Sequence, residues 1–386
     1  MRGHPPLRSL STGHVWRLAV CAALATGALC LLLVWLPSFS QASGQVTNCA
    51  NQTDLQSKLS GGGLVTFSCG VATIPVGSTL VITSPTTIDG GGQITLDGQD
   101  VTRILSVTGS VALTLTNLTL DRGRAGSGNG GALLSLGEVV LDRVTVMRSS
   151  AASGSGGGVF ATFATVTDSS FVSNTAQFNG GGVSASSVTV TGSSFVSNTA
   201  LFGGGLSASN TATVGSSTFV SNTAQQSGGG LYAFSSAMVG STSFVSNTAL
   251  FGGGLYAFSS AMVGSTSFVN NTAKGSGGGL YGTIAEVGGS SFVSNTAGTL
   301  GGGLFSTFAT VGSSTFVSNT AQQSGGGLYG ASTTIVTSST FGSNTASIQV
   351  ERSAQARCSP SRTAPSSPTT LPSPAPSSMA PVPSPP

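Results

Sequence analysis

Apolar residues along this chain come in bursts of two or three, separated by Gly, Ser, Thr and Asn, and the bursts recur every 24 or 25 residues. A Phe marks each period at Phe171, Phe195, Phe219, Phe244, Phe268, Phe292, Phe316 and Phe341. Three residues after each comes an Asn: Asn174, Asn198, Asn222, Asn247, Asn271, Asn295, Asn319 and Asn344. A glycine triplet followed by Val or Leu (Val159, Val183, Leu206, Leu231, Leu255, Leu280, Leu304, Leu328) and a single Val (Val166, Val190, Val214, Val239, Val263, Val287, Val311, Val336) complete the period. No burst has helical spacing, and short strands at this interval with turn residues between them indicate all-β structure. A propeller blade needs about 40 residues, so the period excludes one. Three short strands per 24–25 residues instead predict one coil of a parallel β-helix, a solenoid in which each strand pairs with its equivalent one coil away.

The individual positions then have physical roles. Phe, Leu and Val are expected to point inward and stack in columns about 4.8 Å apart. The Asn column is expected in a turn, bonding the backbone of its own or the next coil. The pattern weakens upstream but continues in GLVTF, STLVIT, TTIDGGGQITLDG and VALTLTNLTL. The solenoid is therefore placed at 61–346, with a cap at 43–60 that shields the open end of the first coil.

The ends read differently. Arg2, Arg8 and Arg17 precede an uncharged apolar run from Leu18 to Leu36 and the small-residue junction Ser40-Gln41-Ala42. That order is a secretory signal peptide over 1–42, cleaved after Ala42. The other reading is a retained signal anchor, the one route by which this chain is expected to hold a membrane. Residues 347–386 hold a last strand, SIQVERS, and then a Pro/Ser/Thr-rich tail with too little apolar bulk to bury a core. A secreted or cell-surface location follows. Cys49 and Cys69 flank the first folded segment and pair as one disulfide in an oxidising compartment, or stay as two buried thiols. Both His residues, His4 and His14, lie in the leader, so neither a zinc site nor a cofactor is expected.

Only 6% of the residues are charged, and the net charge of +3 belongs to the ends; the body carries seven basic and nine acidic residues. No basic stripe exists to displace counterions, so no nucleic acid is expected as a partner. Between Ser149 and Ala346 the charged residues are Asp168, Lys274 and Glu286. Asp168 and Glu286 stand about five coils apart, roughly 24 Å, too far to cooperate. The upstream coils are richer, with Asp89, Asp97, Asp100, Arg103, Asp121, Arg122, Arg124, Glu138, Asp142 and Arg143. Asp97 and Asp121 are expected on neighbouring coils with Arg103 or Arg124 near them, although Asp-Gly pairs are also ordinary turn formers.

One column is a candidate binding surface. Tyr232, Tyr256, Tyr281, Phe305 and Tyr329 follow the inward Leu, so alternation points them outward. They suit a sugar or a partner protein, or simply a ladder that stabilises the sheet. A Thr column from Thr175 to Thr345 suggests ice binding, which its place in a turn argues against. Asn51, Asn117 and Asn270 begin N-x-[ST] sequons.

The glycine triplets with Leu, such as Gly228-Gly229-Gly230-Leu231, and Phe244-Val245-Ser246-Asn247 resemble the polymorphic outer membrane protein repeats, whose hallmarks are GGA-I and FxxN. The resemblance spans residues 130–346. TTIDGGGQITLDG is similar to the opening coils of exported pectin-lyase-like proteins. Together they imply a right-handed β-helix displayed at a surface, with some family members acting as adhesins. The function expected is a secreted or cell-surface, non-enzymatic repeat protein with an adhesive or structural role and a cell-surface glycan or protein as partner. The alternative is a polysaccharide lyase or glycoside hydrolase using the acidic upstream coils, because such enzymes need paired carboxylates. GGGLYAFSSAMVGSTSFV occurs identically at 228–245 and 252–269, which points to growth by duplication.

Overall fold

A computed structural model of the protein describes residues 44–347. The leader, the SIQVERS strand and the Pro-rich tail with Cys358 lie outside the described residues. What is described is a parallel β-helix, all strand with one short helix, α1 (Thr53–Leu59).

The coil-to-coil registers follow the sequence period. Along the Val column, twelve successive parallel pairings join thirteen rungs, from Gly44–Val46 to Thr334–Thr337. The Leu column runs in register from Leu80 through Leu105 and Leu133 to Leu328. The Phe column continues upstream as Val146, Leu120, Leu96 and Ile74. The weakened upstream pattern is thus the same architecture with aliphatic residues in place of Phe.

These three columns form the core, which is one continuous apolar cluster. Seven Phe residues, from Phe171 to Phe316, are fully buried. Their rings stack 4.6–4.9 Å apart within 10° of parallel, which is the strand spacing itself. Phe341 continues the stack on Phe316 at 4.8 Å but is 45% exposed, as the final described rung.

Polar ladders run beside the apolar ones. The Asn residues of the repeat column, from Asn174 to Asn319, are completely buried. Asn247 Nδ2 donates to Asn271 Oδ1 (2.9 Å) and to the Phe219 carbonyl (2.9 Å), while Asn247 Oδ1 accepts from the Asn222 backbone N–H and Nδ2 (both 3.0 Å). The side-chain amide therefore bonds both the coil below and the coil above, and neither its oxygen nor its nitrogen is left without a partner. A second ladder, which the sequence reading did not single out, is made of hydroxyls. Ser193 Oγ donates to the Thr191 carbonyl (2.9 Å) and accepts from Ser169 N–H (3.1 Å), and Ser217 repeats the pattern.

The Thr-Ala after each Asn is expected in a turn and instead forms a short strand, two residues long on most coils and extended to Thr199–Phe202 and Thr223–Ser227 on two. These short strands pair into a separate ten-stranded sheet, from Arg124–Ala125 to Thr345–Ala346, with the Ala inward and buried from Ala125 to Ala321. From Arg124 onward each coil therefore carries a further short strand, too short for alternation to reveal it.

The glycine triplet answers three constraints at once. In 252–254, Gly252 has φ +61°, a Cβ on Gly253 would strike the Gly278 carbonyl oxygen, and one on Gly254 would lie 2.7 Å from Gly279 O and 3.0 Å from the Phe268 ring. Coils meet here backbone to backbone, with Gly253 N–H donating to Gly277 O (3.0 Å).

At the N-terminal end, β1 (Gly44–Val46) pairs with β2 (Gly63–Phe67), and α1 buries Leu55 and Leu59 against the first coils. Cys49 and Cys69 are joined by a disulfide, with their Cα atoms 6.1 Å apart.

Candidate functional site

The acidic upstream coils separate into ion pairs. Asp97 and Asp121 do stand in register on neighbouring rungs. Their partners are not Arg103 or Arg124, however. Arg122 makes a two-point contact with Asp97, and Arg148 makes one with Asp121. Hydrogen bonds and charge from these carboxylates raise the pKa of both guanidinium groups. Arg103 turns away and donates to the carbonyls of Gly130 (2.9 Å) and Asn129 (2.8 Å). Arg122 and Arg148 both have φ +49°, at a bend where later coils carry Ser, such as Ser246 with φ +55°. That one-rung offset lets each Arg reach back to the carboxylate of the coil below. The arrangement neutralises both carboxylates with fixed, bidentate partners, which is ladder chemistry. Among the described residues, no three His, Cys, Asp or Glu side chains are grouped to hold a metal ion.

The outward aromatic column is a stack. Tyr232, Tyr256, Tyr281, Phe305 and Tyr329 lie on consecutive rungs with ring centroids 5.4, 4.8, 4.6 and 5.7 Å apart. Such spacings leave no room for a ligand between rings, so only ring edges and outer faces can meet a partner. Burial by the neighbours raises the pKa of Tyr232 and Tyr281. It pushes Tyr256 up to about 12 from 10.0, with the flanking phenols Tyr281 and Tyr232 adding to the effect. The consequence for stability has a definite sign. An unfolded chain ionises at the ordinary value, so the stabilisation is fully present below pH 10 and is lost as pH rises through 12. A spectrophotometric titration should show at least one phenol ionising late, together with loss of ordered structure in that same alkaline window; all four tyrosines ionising near their ordinary value in the folded protein would contradict the stacked column.

Beside the column, apolar side chains stand exposed on the same coils: Phe234, Phe258, Met238, Met262, Ile284 and Phe308. Phe234 and Phe258 stack at 5.1 Å. Met238 and Met262 form one wall of an open trough that runs along several coils over a column of glycines, Gly215, Gly240, Gly264 and Gly288. A Cβ on any of these four would meet nothing within 4 Å, and none has a positive φ. Neither packing nor backbone geometry demands glycine there. Glu286 lines the same trough, whereas Asp168 sits at a bend with φ +47° several coils away. The Thr column lies in the short strands, where a single row of Thr alternates with buried Ala. Asn117 is occupied, donating to Asp89 Oδ1 (3.0 Å) and accepting from Arg143 Nε (2.7 Å).

One coil holds Phe268, Asn271 and the 277–279 glycine turn before Leu280. Residues 265–283 match the Chlamydia polymorphic membrane protein repeat. The matched segment covers one Phe-Asn rung and the glycine turn that follows it, and Phe268 stands in register with Phe244 and Phe292 on the neighbouring coils. No curated protein and no solved structure matches the chain. No helix among the described residues is long and apolar enough to cross a membrane.

Proposed function

We propose that this protein is a secreted or cell-surface, non-enzymatic repeat protein that acts in adhesion, presenting its outward aromatic face to a cell-surface glycan or protein. The observation that carries this reading is the side-by-side placement of the stacked Tyr232–Tyr329 column and the exposed Phe234, Phe258, Met238 and Met262. Exposed apolar surface of this extent is characteristic of interaction sites. The face repeats rung by rung, so weak contacts at single rungs sum when several engage a repetitive partner. The polymorphic membrane protein repeat supports a surface location.

The test uses the purified protein in two assays. Binding to cultured cells should be saturable and should fall at least tenfold in the double variant Tyr256→Ala/Phe258→Ala. Incubation with pectin, alginate and similar polymers, with and without calcium, should release no reducing ends or unsaturated products. Turnover that disappears in Asp97→Ala or Asp121→Ala would overturn the proposal in favour of a polysaccharide lyase or hydrolase.

A further inference from the structure

The outward aromatic column is interrupted at its lower end. In register below Tyr232 come Ser207, then Ser184, then Phe160. Two rungs therefore lack a ring between two that have one. Three rung spacings separate Phe160 from Tyr232, about 14 Å, against about 4.8 Å for stacked neighbours. The interruption is a cavity of about 270 Å³ with Phe160 and Tyr232 at its two ends and Phe202 on its flank, tilted against Tyr232 at 5.2 Å. That volume lies at the lower edge of small-molecule sites, which run from about 300 to 1,000 Å³.

Its polar groups are the second observation. Ser184 and Ser207 are only 6% and 4% exposed, and both line the cavity. Among the described residues their hydroxyls make no hydrogen bond to protein, whereas the buried Ser169, Ser193 and Ser217 all do. Both side chains are largely buried but their hydroxyls are open to the cavity, so a molecule that fills it has two hydrogen-bonding groups to engage. Asn179 lines the same cavity, its Nδ2 donating to Ser155 Oγ (3.3 Å) while its Oδ1 accepts from no protein group. No charged residue lines the cavity.

From these features we infer that the slot between Phe160 and Tyr232 is a binding site for a neutral sugar, one or two pyranose rings of a glycan. A pyranose has apolar C–H faces that pack on aromatic rings and hydroxyls around its edge that both donate and accept. The slot offers aromatic surfaces at its ends and unpaired hydroxyls and an amide oxygen along its floor and side. A phosphate or carboxylate would find no cation in it, and an apolar ligand would leave the two serines unpaired at a cost. The slot adjoins the outer aromatic face and shares Tyr232 and Phe234 with it, but Ser184, Ser207, Asn179 and Phe160 lie outside that face.

The variant that tests it is suggested by the fold. Ser207→Tyr adds the missing rung under Tyr232, completing the stack while filling the slot. Binding of glucose, galactose, mannose, N-acetylglucosamine, cellobiose and lactose to the full chain is measured by saturation-transfer NMR and calorimetry, with glucuronate as the charged comparison. At least one neutral sugar should bind saturably. Its affinity should drop tenfold or more in Ser184→Ala/Ser207→Ala and vanish in Ser207→Tyr, with the melting temperature of Ser207→Tyr at or above that of the parent. The inference is overturned if no neutral sugar saturates, if glucuronate alone binds, or if binding survives in the double alanine variant. Cell attachment retained by a sugar-blind Ser207→Tyr protein confines the result to the slot; attachment lost in Tyr256→Ala/Phe258→Ala with sugar binding intact separates the two surfaces.

Discussion

Phe244→Ala is expected to destabilise its region of the solenoid by about 3–5 kcal/mol, the range for removing a large buried aromatic. Phe244 is fully buried and stacks on Phe219 at 4.8 Å and on Phe268 at 4.9 Å, so its loss leaves a void with a ring on either side. The void cannot collapse easily, because the coil spacing is fixed by backbone pairing on every neighbouring strand. In a repeat array each coil contacts only its neighbours, so the damage should stay local. Limited proteolysis and hydrogen exchange should therefore show new cleavage and faster exchange around residues 219–268, with the upstream coils protected. Phe341→Ala is the internal comparison. Phe341 occupies the same column but is 45% exposed with a ring on one side only, and its truncation should cost distinctly less. Equal losses at the two positions would show that burial in the stack is not what holds the coils together.

Asn247→Ala is expected to cost about 2–5 kcal/mol, comparable to the aromatic substitution although far fewer apolar atoms are removed. The reason is the number of buried groups that lose a partner. The Asn222 backbone N–H donates to Asn247 Oδ1 and would be left alone in the interior. Asn222 Nδ2, Asn271 Oδ1 and the Phe219 carbonyl would each lose one bond as well. An unsatisfied buried donor costs its full desolvation, which exceeds what the same hydrogen bond contributes in net terms. Asn247→Gln should not rescue, since the longer side chain cannot hold both neighbours at the fixed coil spacing. The measurement is the same pair of local probes. An alanine variant as protease-resistant as the parent would remove the amide ladder from the list of stabilising features.

The coils themselves were legible because each position is written many times over. One Phe three residues before one Asn means little; eight copies at a constant period leave only a stacked fold in which like residues meet. Features without that repetition were harder to read. The Arg122–Asp97 and Arg148–Asp121 pairs depend on which Arg sits one rung ahead at a bend, and spacing suggested Arg103 and Arg124 instead. The two-residue Thr-Ala strand is too short for alternation to show, so it passed for a turn. The hydroxyl ladder of Ser193 and Ser217 was hidden in serine-rich sequence where most serines are on the surface. Ser184 and Ser207 carry no signal as residues. They matter only because rings stand above and below them, which becomes visible once the register is known.

The in-register ladders also bear on heredity. The identical stretches at 228–245 and 252–269 occupy equivalent places on adjacent coils, with Leu231 over Leu255, Val239 over Val263 and Phe244 over Phe268. Unequal crossing-over between the gene segments that encode them removes or adds one whole rung, and every column closes across the junction with the residue it had before. The length of the rod is thus a quantity that recombination can change in steps of about 4.8 Å without rewriting either end.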